Sequence, residues 1–160
     1  MATQYTAGLA QGQKLTAAIM NQIGATWEAY TPALTASVTN PTLGTGSTTY
    51  GYYTRIQKFV MGIAYFAFGS AGTSAGSGDY YISLPVSATT TAGQNIITGY
   101  AWLYDASAAA GWSAISQTYT ATTAGFYKST GDATITIGSG NPFAWAANDQ
   151  FRYEFIYQAA

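Results

Sequence analysis

From residue 27 onward the chain consists of short runs rich in Thr, Tyr, Val, Ile and Phe, separated by Gly, Asn and Pro. Such runs are typical of β-strands, because β-branched and aromatic side chains fit a pleated surface while Gly, Asn and Pro fit turns. We count about eight of them, near residues 31–37, 48–56, 58–68, 80–84, 94–104, 112–120, 132–137 and 150–158. The sequence therefore predicts an all-β protein, an antiparallel jelly-roll-like sandwich of about eight strands.

Two of these runs indicate which surfaces they bury. In residues 150–158 aromatic side chains occupy every second position, the pattern of a strand with one buried face. Residues 58–68 are apolar at both sets of alternate positions: Phe59, Met61, Ile63 and Tyr65 on one side, and Val60, Ala64, Phe66 and Phe68 on the other. A strand of that kind belongs between two layers, or between a core and a partner.

Residues 1–26 form a separate N-terminal arm that carries the one convincing helical pattern. Thr16 suits the start of the helix and Gly24 suits its end. Four residues are assigned to its apolar docking face: Leu15, Ile19, Met20 and Ile23. Because a helix of about two turns is unstable alone in water, this face must dock on the chain's own body, on other copies or on a larger particle. The β-sandwich head is predicted to span residues 27–160.

Charged side chains are scarce, with five basic and six acidic residues among 160. They make up 7% of the chain, against about one quarter in a typical soluble domain. A weakly charged surface favours association, so the composition is a first indication of assembly. The scattered basic residues do not form the cluster that nucleic-acid phosphates require, and no apolar run is long enough to span a membrane.

The sequence offers few groups for catalysis. It contains no His and no Cys, which removes the usual general base, the thiolate nucleophile and the commonest metal ligands. Four of the acidic residues lie in turn-like contexts, where Asp commonly bonds nearby backbone: Asp79, Asp105, Asp132 and Asp149. Five aromatic residues border turns, and most are expected to lie in the core: Tyr80, Tyr81, Trp102, Trp112 and Tyr119. We predict a protein that is not an enzyme and needs no metal or cofactor, and we assign no catalytic residue.

Three stretches carry a family resemblance. The first comprises residues 12–18 (GQKLTAA), Asn21 and residues 24–27 (GATW). The second, the most specific, runs from residues 30–35 (YTPALT) through 40–46 (NPTLGTG) to Arg55, Ile56 and Lys58, and closes at 76–78 (GSG) and 82–86 (ISLPV). The third runs from residues 141–149 (NPFAWAAND) to 157–160 (YQAA). Together they resemble short surface proteins of tailed bacteriophages, of the minor-tail, fibre-head and capsid-decoration types.

This resemblance implies a jelly-roll-like head, usually a homotrimer, that its N-terminal segment fixes to the virion. It brings no catalytic residues to this chain. The sequence departs from the family at Gln57, where a glycine is expected, and in a final strand that is more aromatic than expected at Phe151, Phe155 and Tyr157. These departures concern the edge of the head more than its fold.

We therefore predict a non-enzymatic structural protein of the virion surface, a trimeric knob attached through its N-terminal arm. It belongs to the tail tip or fibre, where it contacts the host, or to the capsid, as a decoration protein that stabilises the head lattice. Its expected partners are other copies of itself, other virion proteins and a host-surface glycan, with no nucleic acid and no membrane insertion. The rival interpretation is a monomeric carbohydrate-binding module.

The arm provides a first test. We expect Ile19→Asp to abolish incorporation into particles, because a carboxylate buried in an apolar docking face without a partner is costly. The measurement is the copy number per virion by mass spectrometry, with circular dichroism of the purified variant to establish that the head is folded. Normal incorporation of a folded variant would remove the docking role from this helix.

Overall fold

The computed structural model describes residues 26–90, 96–128 and 135–160, together with Lys14 and Thr16. Nine strands occur in these ranges: β1 (Glu28–Tyr30), β2 (Leu34–Ala36), β3 (Thr48–Ile56), β4 (Phe59–Ala67), β5 (Tyr80–Ser83), β6 (Ile97–Asp105), β7 (Ala110–Thr120), β8 (Thr123–Lys128) and β9 (Gln150–Gln158). Within them there is no helix of the length and apolar character that crossing a membrane requires. The predicted arm helix and its face of Leu15, Ile19, Met20 and Ile23 lie outside the described residues, so the arm and its docking role stay predictions.

All nine strands belong to one antiparallel sheet, in the order β1-β3-β4-β9-β6-β7-β8-β5-β2. The prediction of an all-β, antiparallel fold is confirmed. The predicted jelly-roll-like sandwich needs two facing sheets, whereas the structure contains a single sheet. The physical reason is the position of β9, which pairs with β4 on one side and with β6 on the other and so joins the two halves into a single hydrogen-bonded series.

This sheet is curled into a half-barrel. β1 and β2 lie at its two edges, yet only residues 31–33 separate them along the chain. The Cα atoms of Tyr30 and Leu34 are therefore at most about 14 Å apart, whereas a flat sheet of this many strands is about 38 Å wide. The edges curve round toward each other, and Tyr30 reaches Phe155 on the interior strand β9, with ring centroids 6.2 Å apart.

The concave side of the sheet encloses an aromatic core. Phe126 of β8 contacts both Phe151 and Tyr153 of β9, each with a centroid distance of 4.9 Å, although two strands separate β8 from β9 in the sheet. Trp145, from the loop before β9, stacks on Phe151 and donates a hydrogen bond to the carbonyl of Gly138. The prediction that residues 150–158 bury one face is confirmed, and that face is the one that lines the core.

Two carboxylates in turns bond nearby backbone, as their sequence context predicts. The fully buried Asp149 accepts hydrogen bonds from the backbone N–H groups of Ala106 at 2.9 Å and Ala146 at 2.7 Å, and so connects two turns. Asp105 accepts hydrogen bonds from the hydroxyl and the N–H of Ser107, and such bonds hold its pKa below the ordinary value. These carboxylates have a structural part in the turns at one end of the sheet.

The turn between β3 and β4 places a residue other than glycine in the left-handed region. It consists of Gln57 and Lys58, and Gln57 has a φ of 54°. Glycine adopts a positive φ without steric cost because it lacks a Cβ, and two-residue hairpin turns favour it at such a position. The glycine that the resemblance leads us to expect at this point thus has a conformational reason.

We expect Gln57→Gly to raise the free energy of unfolding by about 0.5–1 kcal/mol. Relief of left-handed strain, about 1–2 kcal/mol, exceeds the extra chain entropy that glycine loses on folding. Urea denaturation of the variant measures the change. The control is Lys58→Gly at the neighbouring turn position, whose φ is not positive and where glycine should lower stability. Equal losses in both variants would contradict the assignment of strain to Gln57.

Tyr153 makes the folded state sensitive to alkaline pH. Its hydroxyl donates to Oγ1 of Thr98 at 2.8 Å, and Thr98 in turn shares a hydrogen bond with the hydroxyl of Ser116. Burial raises the pKa of Tyr153 to about 12, against about 10 in an unfolded chain. Since the raised pKa favours the neutral phenol in the folded state, its contribution to stability is complete below pH 10 and is lost as the pH rises toward 12.

We therefore expect the free energy of unfolding to be nearly constant from about pH 7 to 9 and to fall above pH 10. Tyr153 should contribute up to about 1.4 kcal/mol per pH unit to that fall. In Tyr153→Phe the decrease should be shallower, while the hydrogen bond between Thr98 and Ser116 is retained. Urea unfolding of both proteins at several pH values provides the comparison, and identical pH dependences would contradict this role.

Candidate functional site

The convex side of the sheet carries an exposed apolar surface over five adjacent strands, β3, β4, β9, β6 and β7. We define this outer face by its aromatic and aliphatic side chains: Tyr50, Tyr52, Ile56, Phe59, Ile63, Ile156, Tyr100, Trp102 and Ile115. Each of them leaves between 36% and 49% of its surface exposed. Large side chains of this kind normally bury most of their area, so a concentration of them on one face is a candidate binding surface.

Strand β4 is apolar on both sides, as its sequence predicts. Val60 and Phe66 are buried in the core, whereas Phe59 and Ile63 point to the outer face and are exposed. Of the two positions expected for such a strand, between layers or between a core and a partner, the second fits this exposure. Phe59 and Ile63 expose 44% and 36% of their surface, whereas Val60 is fully buried. None of the described residues buries Phe59 or Ile63 as completely as the core buries Val60.

A shallow cleft of about 330 Å³ interrupts the outer face between β6 and β9. It is lined by Tyr100 and Trp102 of β6 and by Arg152 and Glu154 of β9. The strand register places Arg152 opposite Trp102 and Glu154 opposite Tyr100. Two aromatic side chains therefore lie beside one cation and one anion.

Trp102 is supported by a glycine on the neighbouring strand. A Cβ atom built on Gly111 of β7 would overlap the benzo ring of Trp102, so the ring occupies the space that a side chain would fill. Trp102 nevertheless exposes 41% of its surface. The ring thus rests against the β7 backbone on one side and is open toward the cleft and solvent on the other.

The two charged groups of the cleft differ in how they are held. The guanidinium of Arg152 lies over the ring of Tyr65, 5.6 Å from its centroid, and donates a hydrogen bond to Oε1 of Gln150 at 3.0 Å. A guanidinium has five N–H donors, so this bond uses a minority of them. The carboxylate of Glu154 accepts no hydrogen bond from the part of the chain that the structure describes. The cleft therefore offers both donors and acceptors to a ligand.

The aromatic residues that border turns divide into two groups. Tyr80 and Trp112 contribute to the core, where Trp112 contacts Phe143 with a centroid distance of 4.9 Å. Trp102 lies on the outer face, and Tyr119 stacks on Tyr81 at 4.1 Å while exposing 58% of its surface. The expectation that most of these five residues lie in the core is wrong, because Tyr81, Trp102 and Tyr119 point away from the concave side.

A second groove, of about 370 Å³, lies beside Asp79, Thr136 and Asn141. Its polar groups already bond one another, since Asp79 accepts a hydrogen bond from the Thr136 hydroxyl and Asn141 donates one to the Thr136 carbonyl. Across the described ranges, no three side chains of the His, Cys, Asp and Glu types come together as a metal-binding group. The outer face is therefore the stronger candidate site.

Comparison of the chain with protein-family models, with curated proteins and with solved structures gives no match in any of the three. The resemblance to phage surface proteins stays a prediction from the sequence.

Proposed function

We propose that this protein is a non-enzymatic structural protein of a tailed-phage virion, displayed on the virion surface as a homotrimeric knob and attached through residues 1–26. The observation that supports assembly is the exposed outer face on β3 and β4. The trimer and the virion come from the family resemblance, whereas self-association has this independent physical support. The weakly charged composition points in the same direction.

The outer face is large for the surface of a free monomer. Its aromatic and aliphatic side chains, each 36–49% exposed, together present on the order of 700 Å² to solvent. Monomeric proteins rarely expose apolar patches of more than a few hundred Å². A standard interface takes about 800 Å² from each partner, counting its apolar core and its polar rim together, so the part of this surface on β3 and β4 is enough for the apolar core of a contact with a second copy.

The part of the outer face on β3, β4 and the C-terminal part of β9 fits a second copy best. We define an assembly patch as Tyr50, Tyr52, Ile56, Phe59, Ile63 and Ile156. Its cross-strand pairs between β3 and β4 contain no charged residue, for example Tyr52 with Ile63 and Ile56 with Phe59, while on the β9 side Ile63 lies opposite Glu154. Interface cores are depleted of charge and enriched in aromatic residues. Arg152 and Glu154, beside the patch on β9, correspond to the polar rim of such an interface.

Two positions on the virion fit this proposal, and each has its own mechanism. On the capsid, binding that is available only in the assembled lattice would stabilise that lattice by mass action. On the tail, several copies of a weak site would recognise the host through avidity. The copy number per virion separates them, since a number comparable with the capsid protein indicates the head and a few trimers indicate the tail.

Assembly through this patch is tested by Ile63→Asp. We expect the purified protein to sediment as a trimer at micromolar concentration and the variant as a monomer, because an interface would bury the new carboxylate without a partner. The matched control is Val38→Asp, which changes an exposed apolar residue in the loop after β2 and should leave the trimer intact. Unchanged circular dichroism shows that both variants fold.

A wild-type protein that sediments at the mass of one chain would contradict the proposal. That result would favour the rival interpretation, a monomeric carbohydrate-binding module. A trimer that persists in Ile63→Asp would instead show that the assembly patch is not the contact between copies.

A further inference from the structure

We propose that the cleft between β6 and β9 is a binding site for a neutral pyranose sugar, which stacks on Trp102 and is hydrogen-bonded by Arg152 and Glu154. The inference goes beyond the proposed assembly and does not depend on it, since the cleft and the assembly patch share no residue. It assigns a ligand class to a cleft of the outer face that is lined by two aromatic and two oppositely charged side chains.

The stacking surface is already formed in the free protein. Because Gly111 leaves room for the benzo ring of Trp102, the backbone of β7 supports the indole from below. A ligand therefore has little side-chain freedom to remove when it binds, which lowers the entropic cost of association. The C–H groups on one side of a pyranose ring are apolar. When they contact an exposed aromatic side chain, the C–H groups and the aromatic ring are both removed from water. Tyr100, two residues away on the same face, extends this surface and exposes 46% of its area.

The polar groups of the cleft match the hydroxyl groups of a sugar. A hydroxyl both donates and accepts hydrogen bonds, whereas Arg152 can only donate and the Glu154 carboxylate can only accept. Hydrogen bonds in which one partner is ionised are stronger than those between neutral groups. Adjacent hydroxyls on one ring satisfy both types of partner at once, which an apolar ligand cannot do.

Charge and size narrow the ligand class. The cleft holds one cation and one anion, so it has no net charge of its own, and a charged sugar of either sign would gain attraction from one group and repulsion from the other, which favours a neutral sugar. Its volume of about 330 Å³ is at the lower end of the range for small-molecule sites, which suits one ring. Because the cleft is open to solvent on the convex side of the sheet, the ring can belong to a longer glycan chain.

A protein side chain or a second copy fits the cleft less well. Interface cores are depleted of charged residues, and burial of Arg152 or Glu154 against an apolar partner would leave a charge unpaired. The groove beside Asp79 is a weaker candidate, since its carboxylate and amide groups already bond Thr136. The cleft at Trp102 keeps donors and acceptors for a ligand.

The test is a titration of the full chain with three neutral probes, the methyl glycosides of glucose, galactose and mannose, followed by tryptophan fluorescence and ligand-observed NMR. We expect at least one probe to bind with a dissociation constant near about 1 mM, the range for one small ring. Trp102→Ala should weaken binding at least about tenfold. Glu154→Gln should weaken it several-fold, because a neutral acceptor replaces an ionised one.

Two further variants test whether a loss of sugar binding comes from the stacking surface itself or from a general effect of mutation on the protein. Gly111→Val keeps Trp102 but displaces its ring, so it should reduce binding as Trp102→Ala does. Tyr119→Ala removes a more exposed aromatic residue on the same side of the sheet, stacked on Tyr81 outside the cleft, and should leave affinity unchanged. If Gly111→Val does not fold, the comparison of Trp102→Ala with Tyr119→Ala decides the question.

The results distinguish this site from the proposed assembly. No binding of any probe at about 20 mM, or full affinity in Trp102→Ala, would overturn the sugar site whatever the oligomeric state. Loss of the trimer in Trp102→Ala would also overturn it, because the cleft would then be a contact between copies. A monomeric protein that binds a probe through Trp102 would overturn the assembly alone and support this site.

Discussion

The short link between β1 and β2 is the constraint on which the rest of the structure depends. Residues 31–33 keep the two edge strands close together, although seven strands lie between them in the sheet. A single sheet held in this way must curl, and its concave side then surrounds a core without the help of a second sheet. The same curvature gives the sheet a convex side, which the described strands do not cover. The curvature of the sheet therefore produces both the core and the outer face.

The local features of this fold could be predicted from the sequence, because they depend on neighbouring residues. The runs at residues 48–56 and 150–158 coincide with β3 and β9, and the alternation in the latter identifies the face that lines the core. β8 was not predicted, since residues 123–128 contain a glycine and an alanine and little β-branched sequence. The single sheet was not predictable either, because the pairing of β9 with both β4 and β6 joins residues far apart in the chain.

The residues of the candidate site were not predicted from the sequence for a related reason. Trp102 and Gly111 are adjacent only because β6 and β7 form a hairpin in which Tyr104 is opposite Gly111 and Trp102 is opposite Ser113. If the register of this hairpin had been assumed from the sequence, it would have placed the glycine diagonally opposite the tryptophan and so predicted their contact. Arg152 and Glu154 could not have been assigned in that way, since their strand comes some fifty residues later in the chain. Alternate residues of β9 thus supply both the aromatic core and the charged groups of the cleft.

The position of β9 between β4 and β6 also has a consequence for how the chain folds as it is made. β4 emerges from the ribosome long before residues 150–158, its neighbours in the sheet. Until those residues are released, β4 and β6 have no strand between them, and the apolar residues of both sides of β4 remain exposed. Contacts of such long sequence separation form slowly, and unpaired strands are prone to associate in the meantime. Of the two strands that pair with β4 in the finished sheet, only its hairpin partner β3 is present during this period.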